Sequence, residues 1–273
     1  MAYPTIDAPY GLKPINLIGG QVFAGSTREL PITYGYATNI FYGDFVTLVR
    51  GNLERISVTT GVVGTLMGVF LGCSFTNPIT KQKQFSQYWP ASTLAGDAVA
   101  IVSDDPDAVF RVAMVSGTTV IASGARAMIG QNLAAVNNTG STNTGNSANA
   151  VLADTSLALT AALPIRVMGL VPDTAIQLGT ATYGSISTAT VTVSALTCTP
   201  MVGCDVGSLA ANGQYIASGS YVASLTNTTT VVLNAAPLVA FAASSTIVFT
   251  QYPEILAKIN FGLHKYYAGT AVA

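Results

Sequence analysis

The stretch LMGVFLGCSF, residues 66–75, decides the fold class because it is a nearly continuous apolar run. Asn77 and Pro78 follow it, and both residue types favour turns. The run lies within a charge-free stretch, 56–80, that is long enough for a transmembrane helix. Four glycines and several polar residues interrupt that stretch, whereas a spanning helix needs about 20 predominantly apolar residues. We therefore predict a buried β-strand and no membrane partner.

Shorter apolar runs lie on both sides of this stretch and alternate with turn residues. They are 45–49 (FVTLV), 97–102 (DAVAIV), 109–115 (VFRVAMV) and 255–263 (ILAKINFGL). Several short strands separated by turns are typical of a barrel or a sandwich. The sequence therefore predicts an all-β protein whose main domain, residues 31–175 plus 253–273, is a β-barrel or sandwich.

Residues 176–252 differ in composition from the rest of the chain. Between Asp173 and Glu254 the only charged residue is Asp205. Short runs of Thr, Val, Ile and Leu alternate there with Gly, Ser and Asn, which favour turns. Regularly spaced strands of this kind are enough for a small β-sandwich. We therefore predict that residues 176–252 form a small β-sandwich domain inserted into the main domain.

Residues 1–30 have the composition of an extended N-terminal arm. Pro4, Pro9 and Pro14 interrupt any helix. The four glycines of this stretch leave it little side-chain surface to pack internally. Such an arm is either disordered or laid along a partner as an added strand or an extended ligand. Composition alone leaves both possibilities open.

Charge is scarce throughout the chain. Asp, Glu, Lys and Arg make up 8% of the 273 residues, against about 25% in typical soluble proteins. The 11 basic and 12 acidic residues are scattered and nearly balanced, which excludes a strongly basic nucleic-acid binder. The apolar content of 50% argues against intrinsic disorder. Because a net charge near zero promotes association, we expect much of the surface to be covered in an assembly.

Residues suited to catalysis or metal binding are few. The single histidine, His264, would be the base of any Ser-His or Cys-His arrangement, and no Gly-x-Ser-x-Gly motif accompanies it. The carboxylates of 104–107 (DDPD) lack the spacing of a calcium loop, so we interpret them as a strand-ending turn. Cys198 and Cys204 permit a disulfide but have no further metal ligands nearby. We predict no enzyme activity, no metal and no cofactor; a hydrolase centred on His264 is the alternative.

The only tryptophan, Trp89, lies in the sequence YWP at 88–90. Tryptophan is enriched at interface hot spots, and its ring can also stack on a sugar. It can equally form one edge of a hydrophobic core. The sequence leaves the interface and the core roles open.

Several segments, taken in order and spacing, resemble the capsid decoration (cement) proteins of tailed bacteriophages, especially those of marine and freshwater, cyanophage-like viruses. They are APYGLKP (8–14), YGDFV (42–46), GVFLGC (68–73), YWP (88–90), DDP (104–106) with VF (109–110), and KIN (258–260) with His264. The resemblance covers residues 8–175 and 253–266 of the chain. The inserted domain is similar instead, at 214–222 and 227–231, to small β domains that recur in phage structural proteins.

The resemblance implies a non-enzymatic virion protein, made in the cytoplasm of the bacterial host, that lies on the outer capsid surface, commonly as a homotrimer. Its partners would be its own copies and the major capsid protein, whose neighbouring subunits it would bridge to stabilise the shell. No nucleic acid and no membrane would be involved. We expect the capsid contacts in the arm and around the tryptophan, at Tyr10, Leu12, Pro14, Ile15, Leu17 and Trp89.

The alternative function is that of a tail or fibre protein that binds host surface glycan through the inserted domain. Tyr215 and Tyr221 would then form an aromatic groove for the sugar. Such a protein would be present in few copies per particle, which distinguishes it from a decoration protein.

Overall fold

The computed structural model describes most of the chain outside residues 176–252 and shorter stretches within that range. The described residues are 8–57, 65–115, 126–153, 163–171, 174, 179–180, 183–184, 188–192, 195–196, 206–209, 216–217, 220–227, 230–238, 246–249 and 252–267. They form β-strands and short 3-10 helices, with no α-helix among them, which confirms the predicted all-β class. Within these ranges no helix has the length and apolar character needed to cross a membrane.

The elements are short and follow one another closely along the chain. The strands are β1 (Lys13–Leu17), β2 (Arg28–Pro31), β3 (Phe45–Val49), β4 (Asn52–Arg55), β5 (Gly68–Thr76), β6 (Lys83–Ser86), β7 (Val99–Ser103), β8 (Ala108–Val115), β9 (Asn132–Leu133), β10 (Ala135–Val136), β11 (Ala150–Leu152), β12 (Ile165–Leu170), β13 (Gly179–Thr180), β14 (Tyr183–Gly184), β15 (Thr190–Thr192), β16 (Ala195–Leu196), β17 (Val206–Leu209), β18 (Val222–Asn227), β19 (Thr230–Leu233), β20 (Thr246–Phe249) and β21 (Glu254–Ile259). The 3-10 helices are Arg126–Met128 and Phe261–Leu263.

One sheet has a barrel-like form. Its strand order is β2-β7-β5-β3-β4, and neighbouring strands pair antiparallel. The long central strand β5 pairs with β3 near its start and with β6 near its end. A parallel bridge between Ile32 and Leu53 joins the two ends of the sheet and nearly closes it. The apolar run 66–75 thus supplies the buried central strand that its sequence predicts.

Large apolar side chains fill this barrel. Its buried core includes Ile32, Ile40, Val46, Leu53, Phe70, Phe75, Trp89 and Val102. The rings of Phe75 and Trp89 meet edge to face, with their centroids 5.4 Å apart. Burying a side chain of this size contributes roughly 1.5–3 kcal/mol relative to leaving it exposed. The sequence left a core role and an interface role open for Trp89, and the structure places its side chain in the core.

A second sheet contains the first strand of the chain. Its order is β10-β11-β8-β21-β12-β9, and β1 pairs antiparallel with β8. Every residue of β8 except Arg111 is buried, which explains why its sequence is apolar throughout instead of alternating. Residues 13–17, predicted as part of an N-terminal arm, are therefore extended but belong to the chain's own sheet. Residues 1–7 of the arm lie outside the described residues.

The strands from β13 to β20 pair only with one another in the part of the chain that the structure describes. They form the pairs β13-β16 and β17-β20 and the four-stranded sheet β14-β15-β19-β18. Their buried apolar side chains make a separate core, which includes Val191, Val206, Val222, Val231, Leu233 and Ile247.

The chain divides into two compact units. One consists of Met1–Pro9, Ala113–Ala127 and Leu170–Glu254, and the other of Tyr10–Val112, Met128–Gly169 and Ile255–Ala273. The stretch 176–252 lies wholly within the first unit, which is wider than the predicted inserted domain. The predicted boundaries at 176 and 252 stay predictions.

Candidate interaction surface

Two of the six predicted contact residues have no surface to offer. The side chains of Leu12 and Trp89 are 0% exposed. Trp89 also donates its ring N–H to the carbonyl of Tyr36 (3.2 Å) and pairs through its backbone with Ile40. Both side chains are buried, so neither can contact a partner on the surface of this structure.

The other predicted contacts lie on or beside β1. Tyr10, Pro14 and Leu17 are half-buried, and Ile15 is 39% exposed. The Tyr10 ring is covered on one side by the Lys13 ammonium, 4.2 Å from its centroid. Of these side chains, Ile15 presents the most apolar surface to solvent.

Ile15 belongs to a tight N-terminal hairpin, which we define as residues 13–22. The amide of Leu17 donates to the carbonyl of Gln21 (2.8 Å), and Val22 forms a bridge with Asn16. The turn contains Gly19 and Gly20, whose φ angles of +88° and +80° are unfavourable for other residues. Two further apolar side chains project from this hairpin, Ile18 at 40% and Val22 at 79% exposure.

A second hairpin, which we call the β5–β6 hairpin (residues 73–86), carries two of the three most exposed large apolar side chains among the described residues. Ile79 in its turn is 88% exposed and Phe85 on β6 is 78% exposed. In the turn, the amide of Asn77 donates to the carbonyl of Gln82 (2.9 Å), and the Asn77 side chain accepts from the Ile79 amide (2.9 Å). The turn is therefore ordered by its own hydrogen bonds, and it holds Ile79 out in solvent.

The base of the β5–β6 hairpin is held by an exposed carboxylate. Asp97 accepts hydrogen bonds from the Thr76 amide (2.9 Å) and hydroxyl (2.7 Å) and pairs with Lys83 Nζ (3.0 Å). These partners, Thr76 first, hold the pKa of Asp97 well below its usual range. The carboxylate is thus ionised at neutral pH, and the hairpin is organised before any partner binds, which lowers the entropic cost of binding.

Sequence reasoning missed this hairpin. Its signal was present: two bulky apolar residues, Ile79 and Phe85, stand alone in the otherwise polar stretch 77–87 (NPITKQKQFSQ). An isolated exposed apolar residue is common on protein surfaces. Only the exposure of both on one ordered hairpin marks them as candidates.

The segments that carried the resemblance meet in the interior. At the first meeting point, Gly11 has a φ of +82°, and a Cβ there would lie 2.7 Å from the Cβ of Ser147 and 2.8 Å from the Gly43 carbonyl oxygen. The next amide, of Leu12, donates to that same carbonyl (3.1 Å). Only glycine allows this approach of the 8–14 and 42–46 segments.

Asp44 is the centre of this meeting point, which we call the Asp44 junction (residues 11, 43, 44, 55, 147 and 149). Its side chain is 0% exposed and pairs with Arg55 Nε at 2.8 Å. It also accepts hydrogen bonds from Ser147 Oγ (2.6 Å), Asn149 Nδ2 (3.0 Å) and the Phe41 amide (2.9 Å). Burial raises the pKa of the Asp44 carboxyl, and the charge of Arg55 acts in the opposite direction. The junction therefore joins three distant segments through one fully partnered buried side chain.

A second meeting point, the His264 junction (residues 66, 104 and 264–266), brings together Asp104 and His264, which come from two other resemblance segments. Leu66 forms a parallel bridge with His264. The hydroxyl of Tyr266 donates to the carboxylate of Asp104, which also pairs with Arg28 Nε at 3.0 Å. Burial, followed by the Asp104 hydrogen bond, raises the pKa of Tyr266 to about 12, so this hydroxyl remains a donor.

His264 is placed where no substrate can reach it. Its side chain is 0% exposed, and a catalytic base needs to be within hydrogen-bond reach of the reacting group. The geometry offers no support for the alternative of a hydrolase centred on this histidine.

The remaining candidate groups are the carboxylates of 104–107, the cysteines and the two tyrosines of the predicted sugar groove. Residues 104–107 form the predicted turn, in which the Asp105 side chain accepts from the Asp107 amide at 2.8 Å. In the described ranges, no three His, Cys, Asp or Glu side chains are grouped as metal ligands. Cys73 is buried, and burial raises the pKa of its thiol to about 12. Tyr221 is 44% exposed, whereas Tyr215, Cys198 and Cys204 lie outside the described residues.

Comparison with protein families, curated proteins and solved structures finds no match for this chain. The fold and the surface describe its class: an all-β chain with two buried polar junctions, whose three most exposed large apolar side chains, Ile79, Val22 and Phe85, project from two ordered hairpins.

Proposed function

We propose that this chain is a structural virion protein that binds the outer surface of a phage capsid and stabilises the shell by bridging neighbouring major capsid subunits, as a homotrimer. One observation carries the proposal: Ile79, Val22 and Phe85 are 88%, 79% and 78% exposed on hairpins ordered by their own hydrogen bonds. The resemblance of the ordered segments to decoration proteins is the reason for proposing a phage capsid as the partner.

The exposure of these side chains has a physical meaning in a chain with so little charge. Large apolar side chains in solvent are unfavourable by roughly 25 cal/mol per Å² of apolar surface. The cores of protein–protein interfaces are depleted in charged residues and enriched in aromatic ones. Charged residues make up only 8% of this chain, and the aromatic side chain of Phe85 is 78% exposed. Both features are more typical of an interface than of a surface that remains exposed to solvent.

The mechanism is multivalent binding. Each copy of the trimer presents its own hairpins, so the first contact makes the later contacts effectively intramolecular. Binding several shell subunits in one arrangement stabilises that arrangement over any other by mass action. No chemical step is needed, which agrees with the burial of the one histidine.

The decisive measurement is the copy number of the chain relative to the major shell subunit in purified particles. We expect a ratio near one to one, which a decoration protein requires. A few copies per particle would favour the tail or fibre function, and absence from particles would contradict both.

The contact residues are tested by replacing Ile79 and Phe85 together with serine. We expect the variant to lose about tenfold or more in affinity for shells, the usual effect of removing an interface hot spot. Its urea unfolding midpoint should match that of the unaltered chain, because both side chains are exposed. The matched control is Gln82→Ser in the same hairpin, which should bind normally. If the double variant binds as well as the control, the contacts lie elsewhere even though the chain decorates shells.

A further inference from the structure

We propose that residues 260–267 form an acid-sensitive latch, which is closed on the barrel at neutral pH and opens when the side chain of His264 takes up a proton. The proposal concerns a conformational device and does not depend on the function proposed above.

Two backbone hydrogen bonds attach the latch to the segment before β5, in addition to the Tyr266–Asp104 bond described above. The Leu66 amide donates to the carbonyl of Leu263 (3.0 Å), and the Lys265 amide donates to the carbonyl of Leu66 (2.7 Å). The Lys265 ammonium adds a hydrogen bond to the carbonyl of Leu48 (2.6 Å). His264 lies between the two backbone bonds, so any change at its ring acts directly on the attachment.

The hydrogen bonds of His264 define its neutral tautomer. Nδ1 accepts a hydrogen bond from the Tyr266 amide at 3.3 Å, so the ring proton is on Nε2. Nε2 is buried without a well-aligned hydrogen bond among the described residues, and the backbone groups of Asp104 and Met67 beside the ring favour its protonated form. A proton arriving from solvent must bind to Nδ1, where it removes the only acceptor of the Tyr266 amide. Protonation thus places two N–H groups against each other and leaves a charge in the interior, which is unfavourable.

Groups from two other segments face the ring. The turn after β7 contributes the charges of Asp104 and Asp105, which favour the protonated ring, and the backbone groups of Asp104 and Met67 act in the same direction. Leu66, in the segment before β5, pairs with His264 through its backbone. The latch itself contributes the rings of Tyr266 and Tyr267, with centroids 5.0 and 6.2 Å from that of His264.

Asp104 cannot compensate fully for the buried charge. Its carboxylate already pairs with Arg28 and accepts from Tyr266, and both partners compete with the imidazolium. Burial is the largest effect at His264 and lowers its pKa below the usual 6.5, with Asp104 acting in the opposite direction. The sign follows from linkage: the open form binds a proton near pH 6.5 and the closed form does so only at lower pH. Latch stability is therefore complete above pH 6.5 and decreases as the pH falls below it.

Hydrogen exchange of the full chain tests the latch directly. We expect the protection factors of the Leu66 and Lys265 amides, corrected for the intrinsic exchange rate, to fall about tenfold or more between pH 7.5 and pH 5.0. The amides of Gly43 and Phe70, which donate to backbone carbonyls within the Asp44 junction and β3–β5 region (2.8 and 3.0 Å), are the internal control and should keep their protection.

The variant His264→Asn separates the histidine from other titrating groups, since the asparagine oxygen can accept from the Tyr266 amide without binding a proton in this range. Its latch amides should show no pH dependence between 7.5 and 5.0. Because the chain has one histidine, the NMR titration of its ring in the unaltered protein gives a second readout, with an apparent pKa below 6.5, should the variant fail to fold. Constant protection of Leu66 and Lys265, equal loss at Gly43 and Phe70, or an apparent pKa at or above 6.5 overturns the proposal.

Discussion

The Asp44 junction and the His264 junction are both buried polar sites that connect distant segments, but they differ in how fully their polar atoms are partnered. The Asp44 carboxylate has four partners between 2.6 and 3.0 Å. Nδ1 of the His264 ring accepts one hydrogen bond, at 3.3 Å. Four short contacts hold a buried group in one arrangement more firmly than one long contact does. The first is therefore a fixed connection and the second a conditional one.

The two junctions also respond to acid in opposite directions. Burial raises the pKa of Asp44, so the folded chain takes up a proton there more readily than the unfolded chain, and this group adds stability as the pH falls. Burial lowers the pKa of His264, so stability from that group is lost as the pH falls. Mild acid should therefore loosen one junction and spare the other.

The largest effect is expected from Asp44→Asn. The change leaves Arg55 without its counter-charge and places an amide N–H among donors, which costs about 4 kcal/mol for a buried pair. The matched control is Asp97→Asn, the same substitution at a carboxylate whose side chain is 46% exposed. We expect the control to lower the urea unfolding midpoint by much less, because solvent screens the contacts of Asp97 with Thr76 and Lys83. Equal losses in the two variants would show that the Asp44 network does not stabilise the fold.

A second comparison places one alanine at the Asp44 junction and one in the latch. Gly11→Ala puts a Cβ 2.8 Å from a backbone oxygen at a φ of +82°, and such overpacking with strain costs about 2–3 kcal/mol. Gly262 in the latch has no atom within 4 Å of the corresponding position, so Gly262→Ala should be nearly neutral. Thermal unfolding of both variants measures the difference, and a neutral Gly11→Ala would mean that the two segments can separate without cost.

The smallest effect is expected from Tyr266→Phe. It removes one hydrogen bond to Asp104 at a partly exposed position, which is worth about 1 kcal/mol. Asp104 keeps its pair with Arg28, so its own position should not change. The lost bond is one that holds the latch, so the effect should appear mainly as reduced exchange protection of the Lys265 amide. A loss as large as that of Asp44→Asn would mean that the His264 junction is as essential as the other.

The strands were predictable from the sequence, because buried strands and turns have local signals. The run 66–75 predicted β5, and 109–115 predicted β8. The arm was harder to judge: proline and glycine in 1–30 indicate an extended chain equally well when it lies on its own sheet, as β1 does. Pairing over almost 100 residues, such as Lys13 with Arg111, has no local signature.

The exposed apolar side chains were harder to predict than the strands because exposure is a property of the folded chain. Leu12 and Trp89 are the kind of residue that both cores and interfaces use, and the fold buries them. Ile79 is a single apolar letter in a polar turn, and only the turn's hydrogen bonds show that it is held outward. Asp44 was part of a motif quoted from the sequence. Its hydrogen-bond partner Ser147 lies 103 residues away in the chain and was part of none.

The bond from Lys265 to Leu48 spans 217 residues of sequence. During synthesis, residue 265 leaves the ribosome well after the barrel strands and after β13 to β20. In the described part of the chain, β13 to β20 pair among themselves. The barrel strands are synthesised before them, but the hydrogen bond from Lys265 to Leu48 forms only after they have been made. Long-range closure of this kind is slow, and unpaired strands exposed in the meantime are prone to aggregate. A nascent chain of this protein therefore carries the barrel without its hydrogen bonds to Lys265 until the end of synthesis, and a ribosome that stalls before residue 265 leaves those bonds unmade.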